Sequence, residues 1–236
     1  MAKPPVDQVQ AAETGKEASG LSMILTMGII GLISAILIVS AYQATSEPIK
    51  RNKAAFLEQA IFEVLPGTTR KITFGVSGGV LRPVNDDEPR EYSYYAGYNT
   101  AGTLTGIAIE AAGPGFADTL RILYGYAPDC HCIVGMTVLE SRETPGLGDK
   151  IETDPVFRSN FEALELQLDE GKAQILHPIV LVKPRQKTDP WQIEAISGAT
   201  ISSRAIADML IANTARSIPF VEQNLEIFSK GGTDDN

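Results

Sequence analysis

Leu21 to Tyr42 reads LSMILTMGIIGLISAILIVSAY, an apolar run without a single charge. As an α-helix it is long enough to cross a hydrocarbon core of about 30 Å. A helix apolar on every side leaves no face for water, which a soluble domain rarely accommodates. A cleaved signal peptide fits poorly, because the run is too long and a polar stretch precedes it. The chain is therefore expected to carry one membrane span over 21–42, behind a flexible polar tail over 1–20. Lys3 and Lys16 precede the span, and Lys50, Arg51 and Lys53 follow it. Counting positive charges alone favours a cytoplasmic C-terminal domain by one residue.

Beyond the span the chain is long enough for one sizeable domain. A net charge of −9 leaves no basic surface for nucleic acid. Ser46-Glu47-Pro48 reads as a helix start, and Leu57, Ile61, Val64 and Leu65 line one side up to Pro66-Gly67. This makes 43–66 a connecting helix, 67–228 the domain and 229–236 a disordered tail. Lys71 to Arg90 gives no clear signal. Tyr92–Tyr98 and Thr103–Glu110 read as strands. Leu120, Ile122, Tyr124 and Tyr126 alternate as in a half-buried strand, and Ile133–Glu140 returns after Pro128-Asp129 as a hairpin. Asp154 should cap a short helix bearing Phe157, Phe161 and Leu164. Ala173–Val182 is strand-like, Trp191 reads as a core residue, and Pro219 should break the last helix before a short one to Phe228. The fold class is α+β: one transmembrane helix, then antiparallel strands flanked by helices.

Two stretches carry chemistry. In Glu194-Ala195-Ile196-Ser197-Gly198-Ala199-Thr200-Ile201-Ser202-Ser203-Arg204 a strand-like approach ends in small residues. A helical run with Ile206, Met209 and Leu210 on one face comes directly after it. A helix N-terminus has unpaired N–H groups and a partial positive charge, so it can hold a phosphate. A plain Ser/Thr cap accounts for the same residues. In Glu143-Thr144-Pro145-Gly146-Leu147-Gly148-Asp149-Lys150 three breakers in four positions force a shaped loop. Leu147 offers an apolar side chain there for a flat aromatic ligand, although a hairpin exit needs no ligand. Cys130-His131-Cys132 suggests a metal site, but on a strand the two thiols share a face and His131 points away. His177 is the only other histidine, so the cysteines read as a buried or turn-edge thiol pair.

Ser197-Gly198-Ala199-Thr200 resembles the flavinylation motif of FMN-binding domains, Asp-x-x-Ser/Thr-Gly-Ala-Thr, with Glu194 in the place of the Asp. Gly113-Pro114-Gly115-Phe116 before the hairpin, Glu143 to Ile151, and then Ser-Gly-Ala-Thr resemble in their order the G subunit of the Rnf electron-transport complex. The C subunit of the sodium-translocating NADH:quinone reductase shares the Glu-Thr-Pro-Gly-Leu-Gly loop and is the nearest alternative. A membrane-anchored sensory module without redox work is the other. The Rnf resemblance covers about residues 21–216. It implies FMN joined through its phosphate to Thr200 in a covalent phosphoester, with Ser197, Gly198, Ala199 and Ile201 shaping the turn. It also implies Thr144, Gly146, Leu147 and Gly148 beside the flavin or its ribityl chain. Lys150, nearest in sequence, is the candidate to compensate the charge of a reduced flavin. The implied role is an electron carrier within an ion-translocating ferredoxin:NAD oxidoreductase, with no substrate site of its own. Its partners would be the other Rnf subunits and a flavin transferase. Its domain would lie on the periplasmic side of the bacterial inner membrane, opposite to the charge count, and we follow the resemblance.

Overall fold

A computed structural model describes residues 20–85, 88 and 90–231. The tail expected over 1–20, apart from Gly20, and residues 232–236 of the C-terminal tail lie outside the described residues. Helix α1 (Gly20–Val64) is one helix of 45 residues, and its first half is long and apolar enough to cross a membrane. The helix start expected at Ser46 is not there: α1 runs straight through Ser46 and Pro48. Pro48 sacrifices one backbone bond, whereas a break would strand about four backbone groups at each new end. Thr45 meanwhile bonds back to the Ala41 carbonyl at 2.8 Å.

From Lys53 on, the chain forms a compact unit of its own. It contains β1 (Arg70–Ser77), β2 (Val80–Pro83), β3 (Tyr92–Tyr98), β4 (Leu104–Pro114), β5 (Thr119–Ala127) and β6 (Cys132–Glu140). Short helices α2 (Lys150–Thr153) and α3 (Pro155–Ser159) come next, then β7 (Leu164–Glu165), β8 (Val180–Val182) and β9 (Gln192–Glu194). Helices α4 (Thr200–Gln223) and α5 (Leu225–Lys230) complete it. Among the described residues, seven strands make one antiparallel sheet in the order β2-β1-β3-β4-β5-β6-β7, and β8 pairs with β9 in parallel. The unassigned stretch Lys71–Arg90 thus supplies two strands, joined at Gly78-Gly79.

Alternation decides the faces. Leu120, Ile122, Tyr124 and Tyr126 point to the main core, where Ile206, Leu210, Ile218 and Val221 of α4 and Phe228 of α5 pack. Leu123, expected at a solvated face, is fully buried with Tyr95 and Ala108 beneath Ala60, Ile61, Val64 and Leu65 of the last turns of α1 and just beyond. Both faces of the sheet centre are therefore covered, and β5 is buried on both sides.

Five further expectations change. The helix that Asp154 caps ends at Ser159, so of the three residues expected on it only Phe157 is helical, and Leu164 lies in β7. Only Val180–Val182 of the predicted strand 173–182 forms. Upstream, the Asp169 carboxylate accepts from the N–H groups of Ala173 and Gln174 at 2.7 and 3.1 Å, taking donors that a longer strand would use. Pro219 does not break α4, because Ile218 and Val221 on either side are fully buried against the sheet and hold the helix through it. Trp191 is half-buried and stacks on His177, with centroids 4.1 Å apart, instead of entering the core. Cys130 and Cys132 are not free thiols; they form a disulfide.

Tyr98, Tyr124 and Tyr126 place fully buried phenols in the main core. Tyr98 donates to the Phe228 carbonyl, Tyr124 to Asn213 at 2.6 Å and Tyr126 to Glu222 at 2.7 Å. Burial pushes all three phenols up, Tyr98 to about 12. The unfolded phenol ionises near pH ~10 while the folded one keeps its proton, so this stabilisation is complete below about pH 10 and lost above it. Denaturant unfolding at stepped alkaline pH should show stability falling steadily from about pH 10 to 12. A flat profile there would mean these hydroxyls are solvated.

Candidate functional site

The approach to Thr200 is pinned from outside. Asn160, almost fully buried, takes the Glu194 N–H on its Oδ1 at 3.0 Å and gives its Nδ2 to the Glu194 carbonyl at 3.2 Å. It thereby imitates a neighbouring strand at the end of β9. The Glu194 side chain turns away and accepts from the Arg185 N–H at 2.6 Å, fixing the 183–186 turn. Glutamate in the place of the motif's aspartate therefore has a structural task of its own here.

The next turn is closed by Ser203. Its hydroxyl accepts from the Ile196 N–H at 3.1 Å and donates to the Ala199 carbonyl at 2.9 Å, in full burial. Gly198 sits at φ 83, a left-handed conformation that a side chain would strain, and the space beside it is open. Ala199 precedes the helix with no side-chain cap, so the plain Ser/Thr cap is not what these residues form. Thr200 is the first residue of α4, exposed, its hydroxyl only weakly engaged with the Ile196 carbonyl at 3.4 Å. The first turn of this 24-residue helix contains no acidic residue. Its free N–H groups and dipole thus favour an anion at Thr200.

The second loop folds back on itself through the Leu147 and Gly148 N–H groups, both bonded to the Thr144 carbonyl at 3.1 and 3.0 Å. Glu143 joins this loop to the rest. One carboxylate oxygen accepts from the Phe116 and Ala117 N–H groups at 2.8 and 3.2 Å, the other from the Ser202 hydroxyl at 2.6 Å. A single buried carboxylate thus ties the 115–117 turn, the 143–148 loop and the head of α4 together. It packs so closely that a side chain at Gly148 would strike it.

Between these segments lies an open cavity of about 280 Å³ lined by Thr144, Leu147, Gly148, Gly198, Ala199, Thr200 and Ile201, together with Phe116, Glu143 and Ser202. Seven of the ten residues singled out from the sequence therefore meet around one space. Gly146 forms the turn of the loop, at φ 78, without lining it. Ser197 and Lys150 line a neighbouring cavity of about 540 Å³ with Arg185 and Glu194, so the cation expected beside the ligand faces another space. Phe116, Glu143 and Ser202 join the site from the structure alone, although Phe116 and Glu143 stand within the sequence motifs. A charged residue opening a backbone-rich loop was the available signal for Glu143.

The residues present suit FMN. The helix start matches a phosphate, and the open side of Gly198 leaves room for a chain to leave it. Phe116, Leu147 and Ile201 are 63, 51 and 59% exposed and offer apolar surface to a flat ring.

Comparison with known proteins agrees with this chemistry. The FMN-binding domain family matches residues 115–212, which include both loops and half of α4. The chain is 31% identical over 188 residues to the G subunit of the ion-translocating oxidoreductase complex of Methanosarcina acetivorans, covering 80% of this chain and 89% of that one. It is 30% identical over 190 residues to the subunit of the same name from Cereibacter sphaeroides, covering 80% of each. Among solved structures it is similar to Shewanella oneidensis NqrC, with a TM-score of 0.55 and 19% identity, over 78% of this chain and 100% of that chain. That likeness concerns the fold alone.

Proposed function

Since the chain belongs to the family of G subunits of ion-translocating oxidoreductase complexes, we propose that it is a membrane-anchored electron carrier with FMN esterified through its phosphate to Thr200. It relays electrons within a ferredoxin:NAD oxidoreductase of the Rnf type, alongside the other subunits of that complex. The observation that carries this reading is the meeting of the two loops at an exposed threonine that opens a long helix.

FMN, when bound, supplies one- and two-electron redox chemistry. The chain's own residues hold, orient and partly shield it. Thr200 provides the ester oxygen, and the first turn of α4 stabilises the phosphate charge. Leu147, Phe116 and Ile201 would pack against the ring, and Thr144 would offer a polar contact. The space is open and of about 280 Å³, just below the roughly 300–1,000 Å³ of typical ligand sites. A ring only partly covered suits electron exchange with a neighbouring subunit. A covalent tether suits such an open site, where a free cofactor would be lost. The Glu143 carboxylate lies in the cavity wall and disfavours negative charge on the ring.

Attachment requires a flavin transferase, and we place the domain on the extracytoplasmic side of the cytoplasmic membrane, where that enzyme works in this family. The Cys130–Cys132 disulfide supports this side, because cytosolic thiols are kept reduced. It outweighs a one-residue margin in positive charges.

The test is an intact mass of the chain purified under denaturing conditions from its native membrane, beside Thr200→Ala. The wild-type chain should carry the mass of FMN less one water, and the variant none. An adduct that persists on the variant moves the attachment elsewhere. An unmodified wild-type chain, with an active transferase present, refutes covalent carriage.

A further inference from the structure

The Cys130-His131-Cys132 turn takes no part in holding the flavin. These are the only two cysteines of the chain, and their disulfide spans a single residue. Cys130 is exposed and Cys132 buried, so an incoming thiol meets the first more readily than the second. So short a ring removes little freedom from the unfolded chain, and a structural staple placed here would stabilise little. It also encloses His131 at φ 49, a left-handed conformation uncommon for a residue with a side chain. An exposed disulfide that closes a small, strained ring is of the exchangeable kind.

The ring holds a specific side chain in place. His131 Nδ1 lies 3.1 Å from the Tyr126 hydroxyl and 3.4 Å from Glu222 Oε1. The Glu222 side chain is wholly buried near the end of α4, and Lys172 takes its other oxygen at 3.0 Å. The imidazole thus joins Tyr126 and Lys172 around a buried carboxylate that anchors α4 to β5.

We infer that Cys130–Cys132 is a thiol–disulfide exchange site, a second two-electron centre, whose opening loosens the end of α4 through His131. A thiolate attacks Cys130 Sγ, the S–S bond breaks, and Cys132 leaves as a thiolate that takes a proton. A second thiol attacks the mixed disulfide and releases Cys130. Two thiols are oxidised to one disulfide for each Cys130–Cys132 pair reduced, with glutathione as the probe. Freed from the ring, His131 relaxes out of the left-handed conformation, and Glu222 keeps Tyr126 and Lys172 without it. None of this depends on flavin at Thr200.

The experiment equilibrates the full chain, in its membrane, with glutathione buffers of rising reduced-to-oxidised ratio. Acid quenching, labelling with a polyethylene-glycol maleimide and a gel then count the free thiols. Without reductant no label is expected. Within the buffer series both thiols should appear while the domain stays folded. In Cys132→Ser the remaining Cys130 should form the glutathione mixed disulfide at least tenfold faster than Cys132 does in Cys130→Ser. A pair that stays oxidised until the chain is denatured, or that labels fully without reductant, overturns the exchange site. Amide exchange should accelerate around Glu222 in the reduced chain, and unchanged protection there overturns the coupling to α4.

Discussion

Glu143→Ala should destabilise the domain by about 4 kcal/mol and abolish flavin attachment, whereas Glu143→Gln should preserve both. The carboxylate accepts two backbone N–H groups and one buried hydroxyl. Hydrogen bonds to a charged acceptor contribute roughly 1.5–3 kcal/mol each, and donors left buried without a partner cost more than those exposed to water. Alanine removes all three bonds at once and opens a space beside Gly148. For a unit of roughly 180 residues this corresponds to a drop of about 8–16 °C in Tm. Glutamine retains a carbonyl oxygen for Phe116 and Ala117, and the Ser202 hydroxyl can turn to accept from the new amide. The amide variant should therefore unfold within about 3 °C of wild type, since little more than a charge has changed. Thermal unfolding and intact mass, measured on all three chains, check this. If alanine is tolerated with its FMN adduct intact, Glu143 does not join the three segments. If glutamine loses the adduct while keeping its Tm, the charge itself is needed for attachment.

Glu143 also illustrates what a sequence conceals. The motifs around Thr144–Gly148 and Ser197–Thr200 are legible because helix breakers and small residues act locally, through backbone angles that neighbours determine. Their convergence is tertiary. Nothing local says that the carboxylate before the first loop reaches the third residue of α4, 59 positions later. Lys150 shows the opposite error. It is close to the loop in sequence, but as the first residue of α2 it faces the cavity behind Ser197. β5, whose Leu120, Ile122, Tyr124 and Tyr126 recur at every second position, and the aromatic β3 are legible for the same local reason. β1 is not, because its Gly75 and a polar surrounding blur the pattern, although Gly78-Gly79 marks the hairpin turn. Local chemistry makes breaks of Pro48 and Pro219. At Pro219 packing on both sides overrides that preference, and the sequence around it contains the reason only in its buried neighbours Ile218 and Val221.

The second large effect lies at the other face of the sheet. Gly125 on β5 and Gly135 on β6 are directly paired, and the last turn of α1 rests on them. A methyl group at Gly125 would run into the Val64 carbonyl oxygen and lie 2.8 Å from Leu65 Cδ2. The first of these is backbone, which has no rotamer to escape into, so the end of α1 must lift and uncover Ile61, Val64 and Leu123. Overpacking a tight core costs typically about 1–3 kcal/mol, and an obstruction by backbone belongs at the upper end. Gly125→Ala should therefore lower Tm by about 6–12 °C, and Gly125→Val by more. Gly171→Ala is the control: its new methyl would only approach the Asp169 carboxylate at 3.7 Å, and a change within about 0.5 kcal/mol is expected. Adding Leu65→Ala to Gly125→Ala separates the two contacts. No recovery is expected, because the carbonyl remains in the way; a full recovery would assign the effect to the leucine side chain. The FMN adduct should survive on Gly125→Ala, since no residue of the two loops touches this patch. An unchanged Tm would mean that the end of α1 does not rest on this pair of glycines.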